Sequence, residues 1–159
     1  MTPTSSTPVD LALALDVARD AAAAAASIAL EHFNAPLEVE TKADDSPVTV
    51  ADFGAQALVC RGLLDRRPED AVIAEENADV LRQRDHAAVL ERVVAEVARL
   101  EPRADAGGVC RWIDHGTDEH PAPRTWILDP IDGTKGFLRG DQYAVALALL
   151  IDGEVALGV

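Results

Sequence analysis

The stretch Trp126-Ile127-Leu128-Asp129-Pro130-Ile131-Asp132-Gly133-Thr134 decides the reading of this chain. Its first three residues form an apolar run of the kind that makes a buried strand, and the run stops abruptly at an acid. Pro130 fixes its own φ and biases Asp129 toward extended geometry, so Asp129-Pro130-Ile131-Asp132 is expected to form a turn with few conformations. Upstream, Ala71-Val72-Ile73-Ala74 repeats the pattern, a short apolar strand whose tip carries Glu75-Glu76. Two carboxylates about 5 Å apart at an effective dielectric of about 20 repel by roughly 3 kcal/mol. Acids held together need a proton, a cationic partner or a metal, whereas a lone acidic turn is simply solvated. Oxygen-only ligands suit Mg²⁺ or Mn²⁺, and the lack of a His/Cys cluster counts against zinc.

The next two residues add to the pattern. Gly133 permits a tight backbone whose N–H groups can meet a phosphate oxygen, and Thr134 offers a hydroxyl that can orient a water. Hydrolysis of a phosphate ester needs a divalent clamp, a positioned water and an acceptor for its proton. All three have candidates here.

Outward from this centre, residues 142–151 read as a long strand, and Asp152-Gly153 is a two-residue hairpin signal of the I′ kind. The return strand, Glu154 to Val159, runs to the last residue, which is expected to mark a truncated chain. Toward the N-terminus, Leu11, Leu15, Ala18, Ala22, Ala25, Ala29 and Phe33 predict the buried stripe of a long helix, with Asp10 as its N-cap and Pro36 as its stop. A second helix is expected from Thr49 or Val50 to about Arg66. Thr49 and Asp52 open it as an imperfect capping box, since Asp reaches back less well than Glu. Val89, Val93, Val97 and Leu100 predict a third helix over 85–100, and Glu101 to Gly108 reads as a loop.

Composition narrows the function classes. The 159 residues carry 14 Lys+Arg against 28 Asp+Glu, a net charge of −14, which excludes a polyanion groove or an anionic membrane surface as a natural partner. Hydrophobic residues make up 48% but aromatics only 4%, so the core is expected to be small-residue and helix-rich. Charges at Asp16, Arg19 and Asp20 interrupt the most apolar stretch and exclude a membrane span. Cys60 and Cys110 share no metal-ligand spacing and read as reduced thiols. The expected setting is soluble and cytoplasmic. Asp52-Phe53-Gly54 spells a kinase magnesium motif, but no Gly-rich or catalytic loop accompanies it.

At the level of motifs, Trp126 to Thr134 resembles the signature of the lithium-sensitive, magnesium-dependent phosphatase superfamily typified by inositol monophosphatase. The continuation from Lys135 through Arg139 and Asp141 to Val145 is similar to its 3′(2′),5′-bisphosphate nucleotidase branch. Lys42 to Asp52, Ala74-Glu75-Glu76 and Ile113-Asp114-His115-Gly116-Thr117 match the same branch in order and spacing. The similarity runs from roughly residue 40 to residue 159.

This resemblance implies an α+β architecture, the N-terminal portion of a layered α/β sugar-phosphatase fold, with helices packed on a mostly antiparallel sheet. It implies that Glu75, Asp129 and Asp132 bind Mg²⁺ through carboxylates and Ile131 through its carbonyl, two or three ions being expected in a full-length enzyme. Asp52 and Thr134 are expected to position and deprotonate the attacking water, with Gly133, Thr134 and Lys135 on the substrate side. Other readings remain for several of these residues. Asp52 alone also reads as a helix N-terminal acid favoured by the dipole, Thr134 as a turn hydroxyl, and Lys135 and Arg139 as surface charges. Glu76 is expected to sit behind the ligands, and Asp114 beneath the site.

The implied activity is removal of the 3′-phosphate of adenosine 3′,5′-bisphosphate, a small-molecule phosphate ester, to give AMP. An inositol phosphate phosphatase and an inactive remnant that binds only metal or phosphate are the alternatives. Members of the superfamily are considerably longer, so residues 1–159 are expected to be an N-terminal metal-binding domain lacking its C-terminal partner.

Overall fold

The computed structural model describes residues 10–33, 39–41, 47–118 and 122–159. Helix α1 spans Leu11–His32, the short strands β1 and β2 span Val39–Thr41 and Pro47–Thr49, and α2 spans Val50–Arg66. Strand β3 is Ala71–Ala74, and a single 3₁₀ turn at Arg84–His86 leads into α3, Ala87–Ala98. Helix α4 covers Ala106–Asp114, β4 Arg124–Asp132 and α5 Thr134–Leu138, and the chain closes with β5, Ala144–Ile151, and β6, Glu154–Gly158.

Two sheets result. β1 and β2 form a small antiparallel pair, and β3-β4-β5-β6 form the main sheet in sequence order. In the main sheet β3 runs parallel to β4 while the other two pairings are antiparallel. The expectation of helices on a mostly antiparallel sheet therefore holds. The β5–β6 turn is the hairpin foreseen from Asp152-Gly153. Both residues have positive φ, 50° and 85°, as a I′ turn requires.

α2 is the centre of the fold. One side of it joins α1 and the inward residues of the sheet, with Val59, Leu63, Val72, Trp126, Leu128 and Leu149 in one apolar cluster. Its other side meets α3 and α4 through Phe53, Leu58, Val93, Val97 and Ile113. A helix covered on all sides is apolar all round, and residues 50–60 of α2 are buried without exception. The core is rich in alanine, as the low aromatic content anticipates.

Several local expectations change. α1 buries Ala14, Val17, Ala18, Ala21, Ala25, Ile28 and Ala29, whereas Leu11 is exposed and Leu15 and Ala22 are half-buried. The six-alanine run carries no size contrast, so the face is set by Val17 and Ile28 meeting the interior. Asp10 does cap the helix, accepting from Ala12 and Leu13 N–H at 3.1 Å each; α1 ends at His32, and Pro36 lies outside the described residues.

Residues 106–114 are a helix, not the tail of a loop. Asp105 accepts the Gly108 N–H at 2.6 Å as its N-cap, and Val109, Cys110 and Ile113 supply the buried face. Leu100 lies beyond the end of α3 and is exposed. β4 does not stop at Asp129 but continues through Pro130 to Asp132. The register slips by one residue between Asp129 and Asp132, and Pro130, with no N–H to donate, occupies that bulge.

At the opposite end of β3 and β4, the buried Asp70 accepts from Arg67 Nε at 2.9 Å, Arg124 Nε at 2.5 Å and Trp126 Nε1 at 3.1 Å. This knot ties the starts of the two strands together. Cys60 and Cys110 are free, and burial pushes the Cys60 thiol up to about 12. No helix among the described residues is long and apolar enough to cross a membrane.

Candidate active site

Parallel pairing places the end of β3 beside the middle of β4. Ala74 is in register with Leu128, so Glu75 leaves the sheet next to Asp129, which stays in β4 and pairs with Ala146. Adjacent strands lie about 4.8 Å apart, and Asp129 and Glu75 share a hydrogen bond. Burial, then the charge of Glu75 and its hydrogen bond, then the charge of Asp132, push the Asp129 carboxyl up to about 6. Asp129 Oδ1 is buried with no hydrogen-bond partner. An anionic oxygen taken from water without a donor is costly, and a cation is the usual remedy.

Asp132, exposed beyond the bulge, reaches this pair through its charge. Among the described residues, no three His, Cys, Asp or Glu side chains are gathered closely enough to enclose an ion by themselves. The arrangement is a tight pair with a third acid beside it. The donor set is all oxygen and the orphaned Oδ1 lies within it, so the residues fit a hard divalent cation.

Asp52 enters from α2. Thr49 donates its N–H to Asp52 Oδ2 at 2.8 Å and its hydroxyl to the same oxygen at 2.5 Å, which completes the capping box. The shorter Asp side chain reaches back fully, so the box is not imperfect. Oδ1 accepts from the Thr134 hydroxyl at 3.3 Å, across 82 residues of sequence. That hydroxyl also lies 3.1 Å from the Ile131 carbonyl. One proton serves both contacts, and the carbonyl keeps a second lone pair for another partner. Asp52 is 1% exposed; it serves as the helix N-terminal acid and also meets Thr134.

Gly133 has φ 85°, the left-handed turn that takes the chain from β4 into α5. Phe137 of α5 packs against Phe33 and Tyr143, with ring centroids 5.8 and 4.9 Å away. This aromatic group anchors the short helix that starts at Thr134. Lys135 is exposed beside it, whereas Arg139 is bound to Asp141 at 2.8 Å.

Glu76 is buried, and Asp114 accepts the Ala78 N–H at 2.9 Å and an ion pair from Arg82, so it braces the loop after Glu76. Among the histidines, His32 sits 3.4 Å from Glu96, His86 and His115 are half-buried, and His120 lies outside the described residues. Lys42 to Ser46 lie outside them too.

Sequence reasoning missed Gln56, which is fully buried and bonded to the backbone of Glu76 and Ile113. Its signal was a polar residue set among Ala55, Ala57 and Leu58, on a helix otherwise apolar at that level.

Comparison with known proteins places the chain among phosphatases. A 3′(2′),5′-bisphosphate nucleotidase of Oryza sativa is 47% identical over 134 residues, covering 76% of this chain and 37% of that protein. The 3′(2′),5′-bisphosphate nucleotidase 1 of Arabidopsis thaliana is 45% identical over 158 residues, covering 91% of this chain and 45% of that protein. The chain thus spans less than half the length of these curated relatives. A solved inositol monophosphatase from Zymomonas mobilis superposes with a TM-score of 0.54 at 29% identity, over 95% of this chain and 44% of that one. The model of the inositol monophosphatase family matches residues 10–159, and this chain belongs to that family.

Proposed function

We propose that this chain carries the catalytic carboxylates of a divalent-metal-dependent 3′(2′),5′-bisphosphate nucleotidase, which hydrolyses the 3′-phosphate of adenosine 3′,5′-bisphosphate to AMP and phosphate. The observation that carries the reading is the buried, unpartnered Asp129 Oδ1 beside Glu75, with Thr134, just past the end of the same strand, bonded to Asp52. The two plant relatives are bisphosphate nucleotidases, which supports the nucleotide over an inositol phosphate.

Glu75 and Asp129, with Asp132 and the Ile131 carbonyl, would hold magnesium. Bound divalent ions supply positive charge against the phosphoryl oxygens and acidify water. The protein's own part is proton handling and orientation. Thr134 donates its hydroxyl proton toward Asp52 Oδ1, which turns its oxygen lone pairs outward to accept from the attacking water. Asp52 takes the proton that the water releases, by way of Thr134. The new P–O bond forms as the P–O3′ bond breaks, and the departing 3′ oxygen takes a proton from solvent. The left-handed Gly133 and exposed Lys135 face the substrate's phosphate in this reading.

Residues 1–159 act as the N-terminal metal-binding part of the fold, and contacts to the nucleoside come from a C-terminal domain such as the longer relatives have room for. Two free cysteines suit a reducing, cytoplasmic setting.

The test is magnesium-dependent phosphate release from adenosine 3′,5′-bisphosphate by the purified chain, with and without lithium, beside Asp129→Asn. Lithium-sensitive release that the substitution abolishes is the expected result. No release from folded, magnesium-saturated protein refutes the activity for this chain.

A further inference from the structure

α2 brings two buried polar side chains into the interior one helical turn apart, Asp52 and Gln56. Gln56 Nε2 donates to the Glu76 carbonyl at 2.6 Å and to the Ile113 carbonyl at 2.9 Å, while its Oε1 accepts the Glu76 N–H at 2.9 Å. The paired bonds to Glu76 are those a neighbouring strand would make. The amide therefore extends the sheet's hydrogen bonding past the end of β3, where no strand continues. On the other side of Glu75, the Ala74 N–H donates to the Gly116 carbonyl at 2.7 Å. Gly116 itself has no room for a side chain, since a Cβ there would lie 2.6 Å from Ala74 Cβ and 3.1 Å from Gln56 Nε2. Both residues flanking Glu75 are thus pinned, one by Gly116 and one by Gln56, which leaves Glu75 little backbone freedom beside Asp129.

We propose that Gln56 is a positioning residue for the Glu75 carboxylate, and that it sets the affinity of the Glu75–Asp129 pair for divalent cations. The inference rests on the reading of these two acids as cation ligands. Gln56 touches neither the cation nor substrate; it acts through the Glu76 peptide. A merely structural amide costs stability when lost but leaves the cation affinity of the folded molecules unchanged. A positioning amide changes that affinity.

The experiment is titration of the metal-free chain with Mn²⁺, read from the magnetic-resonance signal of the free ion, with folding checked by circular dichroism. Gln56→Met keeps the volume and removes the three hydrogen bonds. Asp70→Asn weakens the buried knot at the far end of the same two strands and controls for lost stability. Gln56→Met is expected to bind Mn²⁺ about 10–100-fold more weakly, the usual range for partners behind a metal ligand, with Asp70→Asn within about twofold of the parent. If Gln56→Met does not fold, Gln56→Glu is measured instead. It keeps the acceptor for the Glu76 N–H, loses the donor, and is expected to weaken binding in the same direction.

Unchanged affinity in a folded Gln56 variant, with binding lost in Asp129→Asn, overturns this inference alone. Equal weakening in Asp70→Asn overturns it as well. A parent chain that binds no Mn²⁺, or an Asp129→Asn variant that binds as the parent does, overturns the proposed ligand set and this inference with it.

Discussion

Asp129→Asn should stabilise the metal-free protein at neutral pH while removing its response to magnesium. In the free chain the Asp129 carboxyl is raised from 3.8 to about 6 by burial, by Glu75 and by Asp132. At 1.36 kcal/mol per pH unit that rise corresponds to about 3 kcal/mol. Solvent screening of a half-open site reduces it to about 1–2 kcal/mol. The folded state holds this proton more tightly than the unfolded chain. Stability therefore falls as pH climbs from the unfolded value through about 6, and stays lower above it.

Asparagine keeps the shape, can still donate to Glu75, and carries no charge at any pH. The variant should match the parent near pH 4 and exceed it by about 1–2 kcal/mol near pH 7.5, or about 2–8 °C in Tm for a chain of this size. Saturating magnesium should reverse the order, because a ligand at about 100 times its Kd adds about 2.7 kcal/mol to the parent alone. Urea unfolding followed by tryptophan fluorescence, with chelator or magnesium at both pH values, reads all four combinations; Trp126 is fully buried and reports on the core. A metal-free variant less stable than the parent near pH 7.5 would refute the repulsion on which the site is built.

Thr134→Val removes the hydroxyl 3.3 Å from Asp52 and should lower kcat for phosphate release by about 10²-fold or more, with Mn²⁺ affinity close to the parent's, as kinetics beside a titration would show. Asp70→Asn leaves Arg67 and Arg124 around a neutral amide and should cost about 3 kcal/mol in urea unfolding. Burial raises the Asp70 carboxyl, but its bonds from Arg67, Arg124 and Trp126 outweigh this and hold it below its ordinary value. Its contribution is therefore present above about pH 4 and is lost as pH falls through the folded value, so the parent, unlike the variant, should lose this stability in an acid titration. Gly116→Ala puts a methyl 2.6 Å from Ala74 Cβ and should destabilise by about 1–3 kcal/mol in the same unfolding assay.

What one sequence determines here is mostly local. The Thr49–Asp52 cap, the Asp152-Gly153 turn and the apolar runs ending in Glu75 and Asp129 each depend on neighbours a few residues away, and each was legible. Where local signals are uniform or mixed, the reading failed. The alanine run of α1 gives no contrast between faces, and Gly107-Gly108 hid a helix whose Asp105 cap and Val109, Cys110 and Ile113 stripe were present in the sequence. Pro130, by restricting its own φ and the residue before it, suggested a turn, yet a bulge absorbs it and lets β4 carry Asp132 onward.

The site itself is a product of tertiary structure. The family resemblance named Glu75, Asp129 and Asp132 as candidate ligands, but only the parallel β3–β4 register made Glu75 and Asp129 neighbours and raised a carboxyl to about 6. Asp52 and Thr134 lie 82 residues apart and meet because α2 packs over the end of the sheet. Gln56 gains a role only when the Glu76 peptide arrives against it. Caps and turns are settled by short-range sterics and hydrogen bonds that the chain carries with it, whereas the meeting of distant side chains depends on burial and register, which belong to the whole fold.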